Sequence, residues 1–329
     1  MNSTFDTGRV RIRLGVTDAC VTAVDIASER PQAAAVLRGR LADEAVRLVP
    51  LLFSLCGGAQ GRAAMLALTA ARGTNTAPYL DAAVQAETLR EHLWRLLLDL
   101  PPLLGLQPDR ELFLAGMRAV AAGDCAAGQA VLSQPVWNTL REQLARVDQP
   151  SMARHGFLPT FDAGTSLTEW PRLTAHFAAR PEWRGAPAET GALARCDRPV
   201  LAGAYAARWL ARLQELEDWA NGDDKPGAGG AASAAAVALG IGRALVVTAR
   251  GLLMHEITLE GERVADYVIV APTEWNFHPR GRLADWLHGA PAADADALRG
   301  RVGLAVAALD PCVRWELEFG SERLANSPL

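Results

Sequence analysis

From residue 9 the chain alternates: RVRIRLGV (9–16) sets basic positions against apolar ones, and CVTAVDIA (20–27) is rich in β-branched residues. A period of two sorts side chains onto opposite faces of a strand, so these runs predict an N-terminal hairpin over 9–27, turning at Thr17-Asp18. Ser28 is placed to cap a helix from about Pro31 to Val49, with proline near the start, where its missing N–H does no harm. PLLFSLCGGAQG (50–61) is apolar up to Cys56 and breaks on Gly57 and Gly58. Helices are expected at about 59–72, 77–99, 109–122 and 135–147, each closed by glycine or proline. The pattern lapses into a long loop from Asp148 to Ser166. It resumes as a short helix around Trp170–Ala179 and a longer one over about Arg198–Ala220, and NGDDKPGAGG (221–230) is a turn-rich connector.

The most informative run is RGLLMHEITLEGERVADYVIVAPTEWNFHP (250–279). It predicts a strand, a turn at Glu260-Gly261, a returning strand through VADYVIVA, and a polar loop, PTEWN. Because the two arms run antiparallel, Arg250 and Thr273 are expected near the same edge of the sheet. GRLADWLHG (281–289), a helix at about 294–308 and ALDPCVRWELEF (308–319) complete the pattern. The fold class is therefore α+β and mainly helical, with one small antiparallel sheet built from the N-terminal hairpin and the 250–271 hairpin. A single domain over 1–329 is expected: hairpin 9–27, helical core 31–220, connector 221–230, and C-terminal sheet and helices 231–329.

Composition narrows the function classes. The chain has 329 residues, half of them hydrophobic, which suits a globular protein with a substantial core. With 33 basic against 37 acidic residues and no basic stripe, it carries no electrostatic footprint for nucleic acid. No signal peptide opens the sequence and no apolar run is long enough to cross a membrane, so a cytoplasmic location is expected. Five scattered cysteines do not form a disulfide framework.

Standard motifs are missing. Gly57-Gly58-x-x-Gly61 lacks the Lys-Ser/Thr of a phosphate-cradling loop, and no histidine follows His255-Glu256 at zinc-protease spacing. Gly240-x-Gly242 follows an alanine-rich run rather than a strand and has no third glycine. No Cys-x-x-Cys pair occurs, which argues against a closed zinc site. Cys56, entering a glycine turn, and Cys312, behind Pro311 and ahead of an expected helix, share a setting in which free N–H groups stabilise a thiolate. The plainer reading of each is a small core residue. Arg250 is equally readable as an ion-pair partner, Thr273 as a turn residue and Trp275 as core.

TARGLLMHEITLEGERVADYVIVAPTEWNFHPRG (248–281) resembles the late segment of nickel–iron hydrogenase large subunits, where Ala-Arg-Gly, a histidine-bearing strand, a hairpin and a Pro-Thr/Ser-x-Trp-Asn loop wrap the active site. DPC (310–312) is similar to the start of that family's C-terminal Asp-Pro-Cys-x-x-Cys motif. LCGG (55–58), after a Gly39-Arg40 and helix, is similar to its N-terminal Cys-Gly-x-Cys. The resemblance implies a large-subunit-like helical core and spans most of the chain, with about 75–220 carrying little.

The departures matter as much. The enzymes hold nickel and a carbonyl-dicyanide iron on four thiolates, but here the second cysteine of each motif is Ala59 or Trp315, and the following histidine is Glu318. The chain also ends soon after the motif, without the enzymes' cleavable tail. Hydrogenase activity and nickel are therefore not expected. Arg250 matches the arginine facing one cyanide, and Pro272-Thr273 the residues around the other; a guanidinium and a hydroxyl suit anionic, acceptor-only ligands. Soft thiolates suit the iron. The pattern resembles hydrogenase accessory proteins of the HupK/HoxV type. It implies a scaffold that transiently holds the Fe(CN)2CO fragment on Cys56 and Cys312, with the hydrogenase large subunit and small iron-fragment carrier proteins as partners. Two other readings stay open: a metal-free interaction protein or chaperone shaped like a large subunit, and a redox enzyme. Aligned as written, the retained cysteines match nickel-terminal positions, so iron would have to shift toward them, use one of them, or be shut out by Trp315.

Overall fold

The computed structural model describes residues 8–29, 33–53, 55–151, 156–159, 167, 170–198, 202–223 and 228–320. The expected helix start at Pro31, most of the 148–166 loop, residues 199–201, the middle of the 221–230 connector and the end of the chain beyond 320 lie outside them.

The chain begins with β1 (Arg9–Thr17) and β2 (Cys20–Glu29), which pair antiparallel as expected. Then come α1 (Ala42–Leu52), α2 (Gly57–Ala71), β3 (Thr76–Leu80), α3 (Ala82–Trp94), α4 (Leu100–Leu103), α5 (Arg110–Ala122), α6 (Cys125–Leu132) and α7 (Val136–Arg146). A π-helical turn over Arg95–Asp99 joins α3 to α4. After α8 (Ala175–Ala179), the short pair β4 (Glu182–Trp183) and β5 (Ala186–Pro187), and α9 (Ala204–Ala220), four strands meander: β6 (Ala231–Ala238), β7 (Ile241–Thr248), β8 (Gly251–Glu260) and β9 (Arg263–Val270). Helices α10 (Pro272–Asn276), α11 (Arg282–Leu287) and α12 (Ala295–Leu309) and the strand β10 (Arg314–Gly320) complete the order.

The two hairpins do not share a sheet, which corrects the expected architecture. The N-terminal hairpin forms a three-stranded sheet in the order β10-β1-β2, with β10 parallel to β1. The 250–271 hairpin belongs to a five-stranded antiparallel sheet, β3-β6-β7-β8-β9. Three strands of that sheet were not foreseen, among them β7, which precedes the expected hairpin. AASAAAVA (231–238), read as an alanine-rich run, is β6, and the start of the expected 77–99 helix is β3. Ser28 lies in β2 and donates to Glu274 rather than capping a helix, and the helix expected from there is a 3-10 turn over Ala33–Leu37 followed by α1. PTEWN is a helical turn opened by Pro272, not an irregular loop.

Both faces of the five-stranded sheet are covered. Ala244, Val246, Leu253, Ile257 and Tyr267 pack against the alanine face of α2. Leu245, Leu252, Met254, Val268 and Val270, on the other face, meet Trp170, Leu173 and Trp275. A strand buried on both faces carries no polar alternation, which accounts for the near-continuous apolar start of β8. The second core joins β1 and β2 to α3, α5, α7, α9, α11 and α12. Trp275 is core, in line with its plainer reading.

Candidate functional site

Cys56 is the residue from which α2 departs, with Gly57 and Gly58 as the first helical positions. Gly58 leaves room for Glu87 of α3: a Cβ there would lie 2.5 Å from Glu87 Oε2. The Glu87 carboxylate accepts from the Gly58 N–H at 2.9 Å and the Ala59 N–H at 3.2 Å. The free N–H groups expected to stabilise a Cys56 thiolate are thus engaged by a carboxylate. Burial pushes the Cys56 thiol up to about 12, and the neighbouring Cys312 adds to this; Arg250 and a hydrogen bond from Gln60 pull the other way. The expected helix-terminus activation is overturned by desolvation.

Cys312 arrives from the opposite end of the chain. Helix α12 stops at Asp310, whose left-handed conformation (φ 56°) turns the backbone out of the helix, and Pro311 prevents its continuation. Beyond Cys312 the chain enters the strand β10, not the helix anticipated. Thr273, wholly buried on α10, holds the turn: its Oγ1 lies 3.1 Å from Cys312 Sγ and accepts from the Cys312 N–H at 3.2 Å. Pro272 is buried beside it.

Arg250 sits in the turn between β7 and β8, four residues before Met254, which pairs with Val270 of β9. The hairpin therefore carries Arg250 and Thr273 to the same end, as expected. Arg250 Nη2 bonds Glu91 Oε2 at 2.7 Å, and its Nε lies 3.3 Å from Asp310 Oδ1. Burial alone would lower its pKa; Asp310 and Glu91, with Cys312 and Cys56, hold it above the ordinary range. Asp310 is itself clamped by Arg95 at 2.9 Å, from the π-helical turn, and by Arg212 of α9 at 3.8 Å. Burial opposes its ionisation, but Arg250, Arg95 and Arg212 outweigh that and keep Asp310 below the usual carboxylate range. Asn276 braces the underside, donating to the backbone carbonyls of Arg250 at 3.3 Å and Leu309 at 3.2 Å.

Cys312 thus meets Thr273, next to Pro272, and Cys56 and Cys312 lie within the electrostatic reach of each other and of Arg250, the groups coming from four separate stretches of chain. Ala59 is buried inside α2, and Trp315 lies on β10 opposite Val10, packed partly against the helical core. Among the described residues no three His, Cys, Asp or Glu side chains converge as a metal-binding cluster. Glu87, Glu91 and Gln60 were not singled out from the sequence, and Asp310 entered only as the first residue of the Asp-Pro-Cys motif, with no role given to it. Gln60 had a readable signal, since positions four apart share a helix face. The two glutamates come from α3, whose tertiary placement no local pattern announces.

The fold is that of nickel–iron hydrogenase large subunits. The reduced, active Ni-Fe-Se hydrogenase of Desulfomicrobium baculatum superposes with a TM-score of 0.59 over 91% of this chain and 95% of that one, at 16% identity. A Ni-Fe-Se hydrogenase of Desulfovibrio vulgaris Hildenborough gives 0.56 over 90% and 94%. No protein-family model matches. The hydrogenase expression/formation protein HoxV of Cupriavidus necator is 33% identical over 95% of this chain and 96% of its own. HupK of Azotobacter vinelandii is 29% identical over 95% and 98%, and HupK of Rhizobium leguminosarum 33% over 94% and 96%. The chain belongs to the HoxV/HupK family of hydrogenase expression/formation proteins. Among the described residues no helix is long and apolar enough to cross a membrane.

Proposed function

We propose that the protein is a non-catalytic scaffold in nickel–iron hydrogenase maturation, which takes up the Fe(CN)2CO fragment as cargo on Cys56 and Cys312 and passes it to the hydrogenase large subunit. Its family relatives, named for hydrogenase expression and formation, support a role in maturation. The observation that carries the site reading is the convergence of two thiols, a buried guanidinium and a buried hydroxyl. Cys312 hydrogen-bonds Thr273, and both cysteines lie within the electrostatic reach of Arg250. A guanidinium has five N–H donors, more than Glu91 and Asp310 engage, so donors remain for an acceptor-only cyanide. Thr273 offers a hydroxyl, and Pro272 an apolar wall without an N–H.

Two thiolates leave nickel without its four-sulfur ligand set, which suits transfer of the iron fragment rather than turnover. Because burial keeps Cys56 protonated at neutral pH, loading must release that proton, and it becomes more favourable as pH rises. Small carrier proteins for the iron fragment on one side and the large subunit on the other are the partners this reading requires.

The test is infrared spectroscopy on protein purified anaerobically from cells that contain the whole maturation machinery. Cyanide and carbonyl stretching bands are expected, and they should vanish in Cys56→Ala or Cys312→Ala. Protein with both thiols intact and no such bands sinks the proposal. If partner binding also survived both substitutions, a metal-free interaction protein would stand in its place.

A further inference from the structure

Behind Cys56 runs a line of buried polar groups that crosses from helix to sheet. Gln60 lies one turn beyond Cys56 on α2, with its Nε2 3.7 Å from Cys56 Sγ. Its Oε1 is 2.9 Å from His255 Nε2 on β8, and His255 Nδ1 is 2.9 Å from the Tyr267 hydroxyl on β9. The register explains the contact: Ile257 pairs with Tyr267, so His255 and Tyr267 are diagonal neighbours on the sheet face that meets α2. All three residues are buried.

The direction of this line follows from counting donors. Among the described residues, His255 is the one hydrogen-bond partner of the Tyr267 hydroxyl. If His255 Nδ1 carried the proton, the tyrosine proton would be left buried without an acceptor, which is costly. The hydroxyl therefore donates to Nδ1. Burial keeps His255 neutral, so its single proton sits on Nε2 and is donated to Gln60 Oε1. The Gln60 amide is thereby fixed with its nitrogen toward the sulfur.

We infer that Tyr267, His255 and Gln60 form a one-way hydrogen-bond chain that aims a single N–H at Cys56 Sγ, making Gln60 the positioning residue for that sulfur. The chain stands on the geometry of the metal-free protein; its consequence for the iron fragment rests on the scaffold reading above. A donor on a sulfur ligand reduces the electron density that the sulfur passes to iron, and so tunes how firmly the cargo is held.

Nitrogen-15 NMR of the metal-free wild-type protein reads the tautomer directly and needs no variant. The expected spectrum has His255 Nε2 protonated and Nδ1 bare at neutral pH. The opposite tautomer would overturn the inference, because the Gln60 amide would then present its oxygen to Cys56. In loaded protein, Gln60→Leu should shift the carbonyl stretch to lower frequency, as the sulfur regains donating power. An unchanged stretch in that variant removes the tuning role. Absence of bands in the wild type counts against the scaffold reading alone, and the tautomer result still decides the chain.

Discussion

His255 is wholly enclosed between β8 and α2, and burial lowers its pKa from 6.5 to about 3. In the unfolded chain it takes up a proton near its ordinary value, so the unfolded state binds more protons and stability falls as pH drops below about 6.5. The slope from one such group approaches about 1.4 kcal/mol per pH unit between the two values. Urea unfolding at pH 7, 6 and 5 should show His255→Gln losing less stability on acidification than the wild type; parallel pH profiles would refute this. His92 and His278 are lowered in the same direction by burial, so the variant should reduce the slope without abolishing it. At this scale the resemblance named Cys56, Arg250, Thr273 and Cys312 as candidates, and the local hairpin pattern was enough to place Arg250 and Thr273 at one end of the sheet. The sequence was silent on charge state, because whether Cys56 is thiol or thiolate depends first on desolvation and then on Cys312 and Arg250 from distant stretches of chain, none of which has a local signature.

Helix α2 and strand β7 approach closely enough that only glycine fits between them. A Cβ on Gly242 would lie 2.0 Å from the Ala67 carbonyl oxygen and 2.2 Å from the Ala71 nitrogen. That explains the Gly240-x-Gly242 pair, which fails as a nucleotide motif: the second glycine admits a helix backbone. Gly242→Ala should destabilise the protein by about 1–3 kcal/mol, the range for forcing extra volume into a packed core. A shift in the urea midpoint measures it, and a midpoint within error of wild type would disprove the close approach. Strand β6 escaped the sequence reading for a related reason. Its alanines have poor strand propensity and no alternation, and they form a strand because α2 and the neighbouring strands need small side chains there. The β8–β9 hairpin, with its glycine turn and β-branched arms, was legible because its determinants are local.

Across the whole molecule, the parallel register Arg9↔Arg314 through Gly15↔Gly320 joins stretches that no short-range pattern could connect. Arg9 and Arg13 reach Glu316 and Glu318 across it, so Glu318, at the position where the resemblance implied a histidine, serves an ion pair on the sheet. Deleting 314–329 would strip one edge of β1 and uncover part of the helical core near Val10, Ile12 and Leu14. Such a protein should self-associate more than wild type and melt at a lower temperature, as followed by light scattering and circular dichroism; unchanged scattering with wild-type melting would show that β10 is dispensable.

The same register has a bearing on synthesis. On the ribosome β1 emerges early and must wait for β10, about 305 positions later by the Arg9↔Arg314 pairing, before its sheet is complete. Cys312 emerges just ahead of that strand, so its contact with Thr273, and with it any cargo site of the kind proposed, forms late in synthesis.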